Sequence, residues 1–180
     1  MKNLILGGVR SGKSRYAETL ARDFFRDREG CEKITLVATA TVLDNAMADR
    51  VKKHQDERPS HWLTKEEPLY LAKTLDSLES ADDTSLVIID CLTLWLTNLL
   101  MKDDLAFLTA QVTDFVRVVS QYSKPLILVS NETNMGISPL GELTRRYCDE
   151  AGILHQRLAQ ACDSVVLVVA GLPLNLKSEK

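Results

Sequence analysis

The sequence lacks any apolar run near the roughly 20 residues that a membrane-spanning helix requires. Its first residues also lack the basic and then apolar pattern of an export signal, so we expect a cytoplasmic protein. The net charge is only −3, which gives no general attraction to nucleic acid or to anionic membranes. Apolar and charged residues make up 45% and 26% of the 180 residues, which is typical of one globular domain over residues 1–180.

Cysteine is scarce and widely dispersed. No two of the four cysteines form a Cys-x-x-Cys pair, and none combines with a histidine at the spacing of a zinc site. We therefore expect reduced, mostly buried thiols in place of a metal centre or a nucleophile. The four residues are Cys31, Cys91, Cys148 and Cys162.

What the sequence does contain is a phosphate-binding loop close to its start. Residues 7–14 read Gly-Gly-Val-Arg-Ser-Gly-Lys-Ser, which fits the P-loop pattern of a glycine, any four residues, and Gly-Lys-Ser or Gly-Lys-Thr. An apolar strand over 4–6 precedes this loop, and an apolar helical stripe follows it. The stripe consists of Ala17, Leu20, Ala21 and Phe24.

Each part of the P-loop has a physical task in binding a nucleoside triphosphate. The glycines let the backbone curl so that successive N–H groups point at one anion, and the following helix adds its positive end. Lys13 supplies a mobile charge for the outer phosphates, and the Ser14 hydroxyl is a ligand for Mg²⁺. The predicted nucleotide-binding residues of this motif are Gly7, Gly8, Val9, Arg10, Ser11, Gly12, Lys13 and Ser14.

The rest of the chain alternates strand-like and helix-like segments. This alternation predicts an α/β fold with a mostly parallel sheet, helices on both faces and a C-terminal hairpin at the edge. Right-handed crossovers then bring the P-loop, Thr39, Asp90 and Asn131 to one rim. Strands are predicted over 34–39, 86–90, 125–130 and 165–169, a brief extended piece over 62–64, helices around 45–57, 69–78, 91–101, 108–119 and 143–158, and the hairpin over 171–176.

Asp90 ends an apolar strand over 86–90. In P-loop proteins a carboxylate at the end of such a strand holds Mg²⁺ directly or through water, so we predict that Asp90 shares this ion with Ser14. The alternative is a strand that merely ends in a polar turn residue.

His54 is distinguished from His61 and His155 by the two arginines near it. On the predicted helix over 45–57, Arg50 lies four residues before His54, and Arg58 lies four residues after it. Two guanidinium groups favour the uncharged imidazole and offer forked donors to phosphate oxygens. Such a ring suits nucleophilic attack on phosphorus, although spacing alone leaves a solvated basic helix end as the alternative.

The ordered series of short motifs resembles the bifunctional adenosylcobinamide kinase/adenosylcobinamide-phosphate guanylyltransferase family of cobalamin assembly. The resemblance covers essentially the whole chain. One departure is that Ile153 and His155 stand where that family tends to have arginine and asparagine. The motifs are the P-loop with Arg15, Ala17 and Glu18; Ala38-Thr39-Ala40; Arg50 to His54 with Arg58-Pro59; Trp62, Thr64 and Glu66; Asp90-Cys91-Leu92-Thr93; Val129-Ser130-Asn131-Glu132; and Gln156-Arg157-Leu158-Ala159.

The resemblance implies two successive reactions on a corrinoid, with ATP and GTP as substrates and Mg²⁺ as cofactor. The enzyme would phosphorylate adenosylcobinamide and then transfer GMP from GTP to that phosphate through a guanylyl group on His54. It also implies a RecA-like fold and a homotrimer, with no nucleic-acid partner. By this resemblance the nucleotide contacts beyond the P-loop are Ala38, Thr39, Ala40, His54, Gln55, Asp56, Glu57, Glu66 and Asp90.

Two other functions remain open from the residues themselves. A simple P-loop kinase for a small hydroxyl compound would use Lys13 and Asp90 and leave His54 structural. A nucleotide-dependent switch or assembly ATPase would use the same loop, but the chain has no Asn-Lys-x-Asp run for guanine recognition and no further domain to move.

Overall fold

The computed structural model describes residues 1–26, 33–41 and 61–178. Within them the five inner strands form at short apolar runs, most of them rich in β-branched residues, whereas the two edge strands over 63–66 and 172–177 are exposed along their whole length. The helix predicted over 45–57, with Asp44 as its N-cap, lies outside the described residues. The strands are β1 Lys2–Gly7, β2 Ile34–Ala38, β3 Leu63–Glu66, β4 Leu86–Asp90, β5 Leu126–Asn131, β6 Ser164–Val169 and β7 Leu172–Lys177.

These seven strands form one sheet in the order β3-β2-β4-β5-β1-β6-β7. Every neighbouring pair is parallel except β6 and β7, which form the expected antiparallel hairpin at the edge. The strand β5 lies between the P-loop strand β1 and the strand β4 that ends in Asp90. The carboxyl ends of all parallel strands therefore meet at one rim.

Helices cover both faces of the sheet, as the alternation predicts. One face packs against α1 through Ala17, Ala21 and Phe25, and the other packs against the remaining described helices, with Trp95 and Phe115 fully buried. Within the described residues the helices are α1 Lys13–Phe25, α2 Leu71–Glu79, α3 Leu92–Leu100, α4 Leu105–Gln121 and α5 Glu142–Ala161.

Two helical faces differ in detail from the periodic pattern. In α1 the fully buried aromatic residue is Phe25, whereas Phe24 and Leu20 are half-buried. In α5 the buried face begins only at Ala151, and Leu143 in the first turn is exposed. None of the helices in the described segments is long and apolar enough to cross a membrane.

Candidate active site

The P-loop connects the end of β1 to the start of α1 through a tightly curled backbone. A Cβ at Gly7 would lie 2.5 Å from both the Ser11 Oγ and the Val168 carbonyl oxygen, so only glycine fits there. Gly12 has a φ of 98°, a left-handed conformation that favours glycine, and its Cβ would lie 3.2 Å from the Gly171 Cα. The two glycines of the motif are thus required by close contact and by backbone conformation.

The C-terminal hairpin supports the P-loop from outside. Its turn contains two left-handed residues, Ala170 with a φ of 51° and Gly171 with a φ of 81°. The Gly171 amide donates a hydrogen bond to the Ser11 carbonyl oxygen at 2.8 Å. The hairpin therefore fixes one side of the loop.

Lys13 lies at the first position of α1 and is only 8% exposed. Its Nζ donates to the Gly8 carbonyl oxygen at 2.9 Å, which curls the side chain back over the loop. Burial lowers the pKa of Lys13, and the Asp90 carboxylate opposes this effect. The lysine therefore lies between the P-loop and the end of β4, where a phosphate group would meet both.

Asp90 ends β4 and is half-buried at the rim. It lies level with Val129 of β5, while Gly7 of β1 lies level with Asn131, two residues further along. Because β5 separates β4 from β1, the strands carrying Asp90 and the P-loop are about 10 Å apart. Phosphate groups and a hydrated cation that contact both would therefore lie over the carboxyl end of β5.

A buried hydrogen-bond cluster fixes the backbone after Asp90. The fully buried Thr39 hydroxyl donates to the Cys91 carbonyl oxygen at 2.6 Å and accepts from the Cys91 amide at 3.0 Å. The Asn98 amide donates to the Thr39 carbonyl oxygen at 2.9 Å and to the Pro68 carbonyl oxygen at 3.2 Å. The ends of β2 and β4 are thus joined through side chains as well as through the sheet.

Cys31 lies outside the described residues, and the other three thiols are unpaired within them. Only Cys162 is buried, whereas Cys91 and Cys148 are half-buried, so the expectation of mostly buried thiols holds for one of the three. Cys91 stands at the rim beside Asp90. Burial, together with that carboxylate, raises the pKa of the Cys91 thiol to about 11. At neutral pH it therefore carries its proton and is a poor nucleophile.

A family model described as cobinamide kinase / cobinamide phosphate guanyltransferase matches residues 3–176 of this chain. The chain belongs to this cobinamide kinase and guanyltransferase family. The match confirms the resemblance inferred from the motifs, and it extends from within β1 to within β7.

Two curated relatives of the family align with the chain over nearly all of both lengths. The chain is 49% identical over 179 residues to the bifunctional adenosylcobalamin biosynthesis protein CobP of Pseudomonas aeruginosa, covering 99% of each chain. It is 35% identical over 192 aligned positions to the corresponding CobU protein of Salmonella typhimurium, covering 98% of this chain and 100% of the relative.

A solved structure supports the predicted fold class. The crystal structure of a KaiC-like protein from Pyrococcus horikoshii OT3 superposes with a TM-score of 0.52 at 12% identity, covering 92% of this chain and 69% of that one. At this identity the likeness concerns the fold alone. The RecA-like P-loop architecture expected from the sequence is confirmed.

The structure brings together most of the predicted site residues of the cobinamide kinase and guanyltransferase family that it describes. The P-loop, Thr39, Asp90 and Asn131 lie along one rim. Ala38 lies level with both Asp90 and Glu66 across β4, β2 and β3, so Glu66 is the residue furthest from the P-loop strand. Predicted residues outside the described part of the chain are Arg50, His54, Gln55, Asp56, Glu57 and Arg58.

Three rim residues were not assigned a role from the sequence. The Thr93 hydroxyl accepts from the Asn131 amide at 2.8 Å, and the Glu132 amide donates to the Gly7 carbonyl oxygen at 3.0 Å. His155, one of the two histidines set aside in the sequence, lies buried on α5 against the end of β5. The sequence does show polar residues directly after the apolar strand β5. It does not show that they contact His155, which lies on a helix more than 20 residues away.

Proposed function

We propose that this protein catalyses both reactions that its family is named for. With ATP it phosphorylates the terminal hydroxyl of adenosylcobinamide, and with GTP it attaches GMP to that phosphate and releases pyrophosphate, yielding adenosylcobinamide-GDP. The observation that carries the proposal is the family match over residues 3–176, supported by a complete P-loop whose lysine lies close to the Asp90 carboxylate. The whole chain acts as one nucleotide-binding and transferase domain.

The first reaction uses the residues of the rim. The backbone amides of residues 7–14 and the positive end of α1 bind the outer phosphates, and Lys13 exchanges its bond to the Gly8 carbonyl oxygen for bonds to phosphate oxygens. The acceptor oxygen attacks the γ-phosphorus, and the bond to the β-phosphate oxygen breaks. The lysine charge stabilises the negative charge that develops on the transferred group.

The residues at the rim fit a Mg²⁺ ion. A hydroxyl at Ser14 and a carboxylate at Asp90 are hard oxygen ligands, and Mg²⁺ needs only one or two such groups besides phosphates and water. Among the described residues no cluster of three metal-binding side chains competes with this pair. When bound, the ion would neutralise phosphate charge.

The second reaction proceeds through His54 in this proposal. A ring nitrogen attacks the α-phosphorus of GTP, the bond to the bridging oxygen breaks, and pyrophosphate leaves. A phosphate oxygen of adenosylcobinamide phosphate then attacks the same phosphorus and releases the histidine. Arg50 and Arg58 reduce the repulsion between these anions, and Ala38, Thr39, Ala40, Gln55, Asp56, Glu57 and Glu66 contact the nucleotide.

A product assay tests both halves of this function. Adenosylcobinamide and ATP should give the monophosphate, and adding GTP should give adenosylcobinamide-GDP and pyrophosphate, detected by mass spectrometry. His54→Ala should retain the first product and lose the second, whereas the matched control His61→Ala should retain both. Nucleotide hydrolysis without any corrinoid product would contradict the proposal, and loss of neither product in His54→Ala would contradict the histidine route.

The proposed assembly is a cytoplasmic homotrimer, as the resemblance implies. Analytical ultracentrifugation of the purified protein should give a sedimenting species of three chains. A monomer at micromolar concentration would contradict this part of the proposal without affecting the chemistry.

A further inference from the structure

Three polar side chains form a buried network at the carboxyl end of β5, consisting of Ser130, Glu132 and His155 (the β5 network). The Ser130 Oγ and the His155 Nε2 lie 2.8 Å apart, and the His155 Nδ1 lies 3.7 Å from the Glu132 Oε2. Ser130 is 1% exposed and His155 is 7% exposed. Burial of three polar groups is costly unless they bind one another, so their arrangement needs a physical account.

The Glu132 carboxylate is held from two sides. Its Oε1 accepts from the Asn134 amide at 2.7 Å, and its Oε2 faces the His155 ring. The His155 Nδ1 is fully buried, and among the described residues this nearby carboxylate is the group that it can bind. A tautomer with the proton on Nδ1 places an N–H group towards Glu132 and leaves Nε2 to accept from the Ser130 hydroxyl.

The ring is uncharged at neutral pH. Burial lowers the pKa of His155, and the facing Glu132 carboxylate only partly opposes this effect. A neutral ring forms no ion pair with the Glu132 carboxylate, so the contact between them is a hydrogen bond in character. The Glu132 side chain is 15% exposed, so the carboxylate is positioned yet still accessible at the rim.

Glu132 directly follows β5, one of the two strands that pair with the P-loop strand β1. Its amide donates to the Gly7 carbonyl oxygen, and β5 pairs directly with β1, about 5 Å away. Asp90 lies one strand further out, and Glu66 lies three strands further out than β5. Glu67 already accepts the Leu69 and Tyr70 amides at the start of α2.

We propose that Glu132 is the general base of the kinase step and that His155 is the positioning residue that orients its carboxylate. The inference rests on the proposed function, since it names the proton acceptor for the same phosphoryl transfer. As the acceptor oxygen bonds to the γ-phosphorus, its O–H proton passes to a Glu132 oxygen, and the nucleoside diphosphate leaves with the electron pair of the broken P–O bond. The proton later returns to solvent.

The test separates the two half-reactions in Glu132→Gln. This isosteric change retains an acceptor for the Asn134 amide but removes the basic oxygen. With adenosylcobinamide and ATP, kcat should fall on the order of 100-fold or more, with KM for ATP within about 2-fold of wild type. Starting from adenosylcobinamide phosphate and GTP, pyrophosphate release should remain within about 2-fold. Glu67→Gln is the matched control and should leave both rates unchanged.

A pair of variants isolates the role of His155. Asparagine places its amide where Nδ1 lies, and glutamine places its amide where Nε2 lies. His155→Asn should therefore retain most of the kinase rate, whereas His155→Gln should lose it together with the orientation of Glu132. A merely structural histidine would give equal effects in the two variants, which would overturn its positioning role.

Each remaining outcome is decisive. Kinase activity within about 3-fold of wild type in Glu132→Gln would overturn the general-base assignment, and so would equal loss of both half-reactions. Glu132→Asp is a second test that applies if the glutamine variant does not fold, because it keeps the carboxylate but shortens the side chain by one carbon. An unchanged kinase rate in Glu132→Asp would also overturn the general-base assignment. Wild-type protein without kinase activity would instead overturn the proposed function itself.

Discussion

Replacing Lys13 with methionine should separate nucleotide binding from stability. The two side chains have similar length, but methionine carries no charge. Lys13 is buried and makes its hydrogen bond to the carbonyl oxygen of Gly8, a residue exposed enough for water to replace the lost donor. The ammonium group therefore contributes little to the fold and much to phosphate binding.

The expected magnitudes follow from these contacts. Two hydrogen bonds from a charged donor to phosphate oxygens contribute about 3 kcal/mol in total, so Lys13→Met should weaken GTP binding roughly 100-fold. Losing the hydrogen bond to Gly8 destabilises the folded state, whereas removing a buried charge stabilises it. Because these two effects oppose each other, the free energy of unfolding should change by less than about 1 kcal/mol. Isothermal titration calorimetry and urea unfolding measure the two quantities.

The stability difference should also depend on pH. Burial lowers the pKa of Lys13, so the folded state releases this proton before the unfolded state does. The unfolded state then binds more protons as the pH approaches the ordinary lysine value of about 10.4. Wild type should therefore gain stability relative to Lys13→Met as the pH rises towards that ordinary lysine value.

Lys2→Met is the matched control at the opposite end of β1. The Lys2 Nζ donates to the carbonyl oxygens of Ser120 at 2.8 Å and Val119 at 3.2 Å, so its loss should lower the free energy of unfolding by about 1–3 kcal/mol. GTP affinity should stay unchanged in this variant. Unchanged GTP affinity in Lys13→Met, or a stability loss as large as that in Lys2→Met, would refute the reasoning.

Three further variants probe the frame of the site. Asp90→Asn should keep GTP binding within about 10-fold but raise the Mg²⁺ concentration needed for half-maximal kinase rate, and an unchanged Mg²⁺ dependence would remove Asp90 from the metal site. Gly12→Ala should lower the free energy of unfolding by about 1–2 kcal/mol, because Gly12 has a left-handed φ and an added Cβ would contact Gly171. The variant should also lose most of its GTP affinity, and an affinity equal to that of the wild type in calorimetry would contradict the loop assignment. Thr39→Val should destabilise the fold by about 2 kcal/mol, since Thr39 is fully buried and loses two part-buried hydrogen bonds to Cys91, and thermal unfolding measures this.

Much of this architecture could be predicted from the sequence because its signals are local. Three features are each determined by residues that are close together in the sequence. They are the strand that ends in Asp90, the P-loop around Lys13 and the turn before β7. The parallel rim then follows from the handedness of the crossovers. Strand order is different, since periodicity does not say that β5 inserts between β1 and β4.

The parts that could not be predicted depend on contacts between distant residues. The pairing of His155 with Ser130 joins positions 25 residues apart through the packing of α5 on the sheet. The loop after β5 leaves the large apolar side chains of Met135 and Ile137 exposed. Neither feature follows from spacing, because both depend on tertiary packing.

The most direct measurement of the proposed guanylyl transfer uses GTP labelled at the α-phosphate, with Mg²⁺ and no corrinoid. After denaturation, the wild-type protein should carry one label per chain in an acid-labile, alkali-stable bond, and peptide mapping should place it on His54. The label should be absent from His54→Ala and retained in His61→Ala. Wild-type protein that binds GTP but retains no label after denaturation would contradict the account.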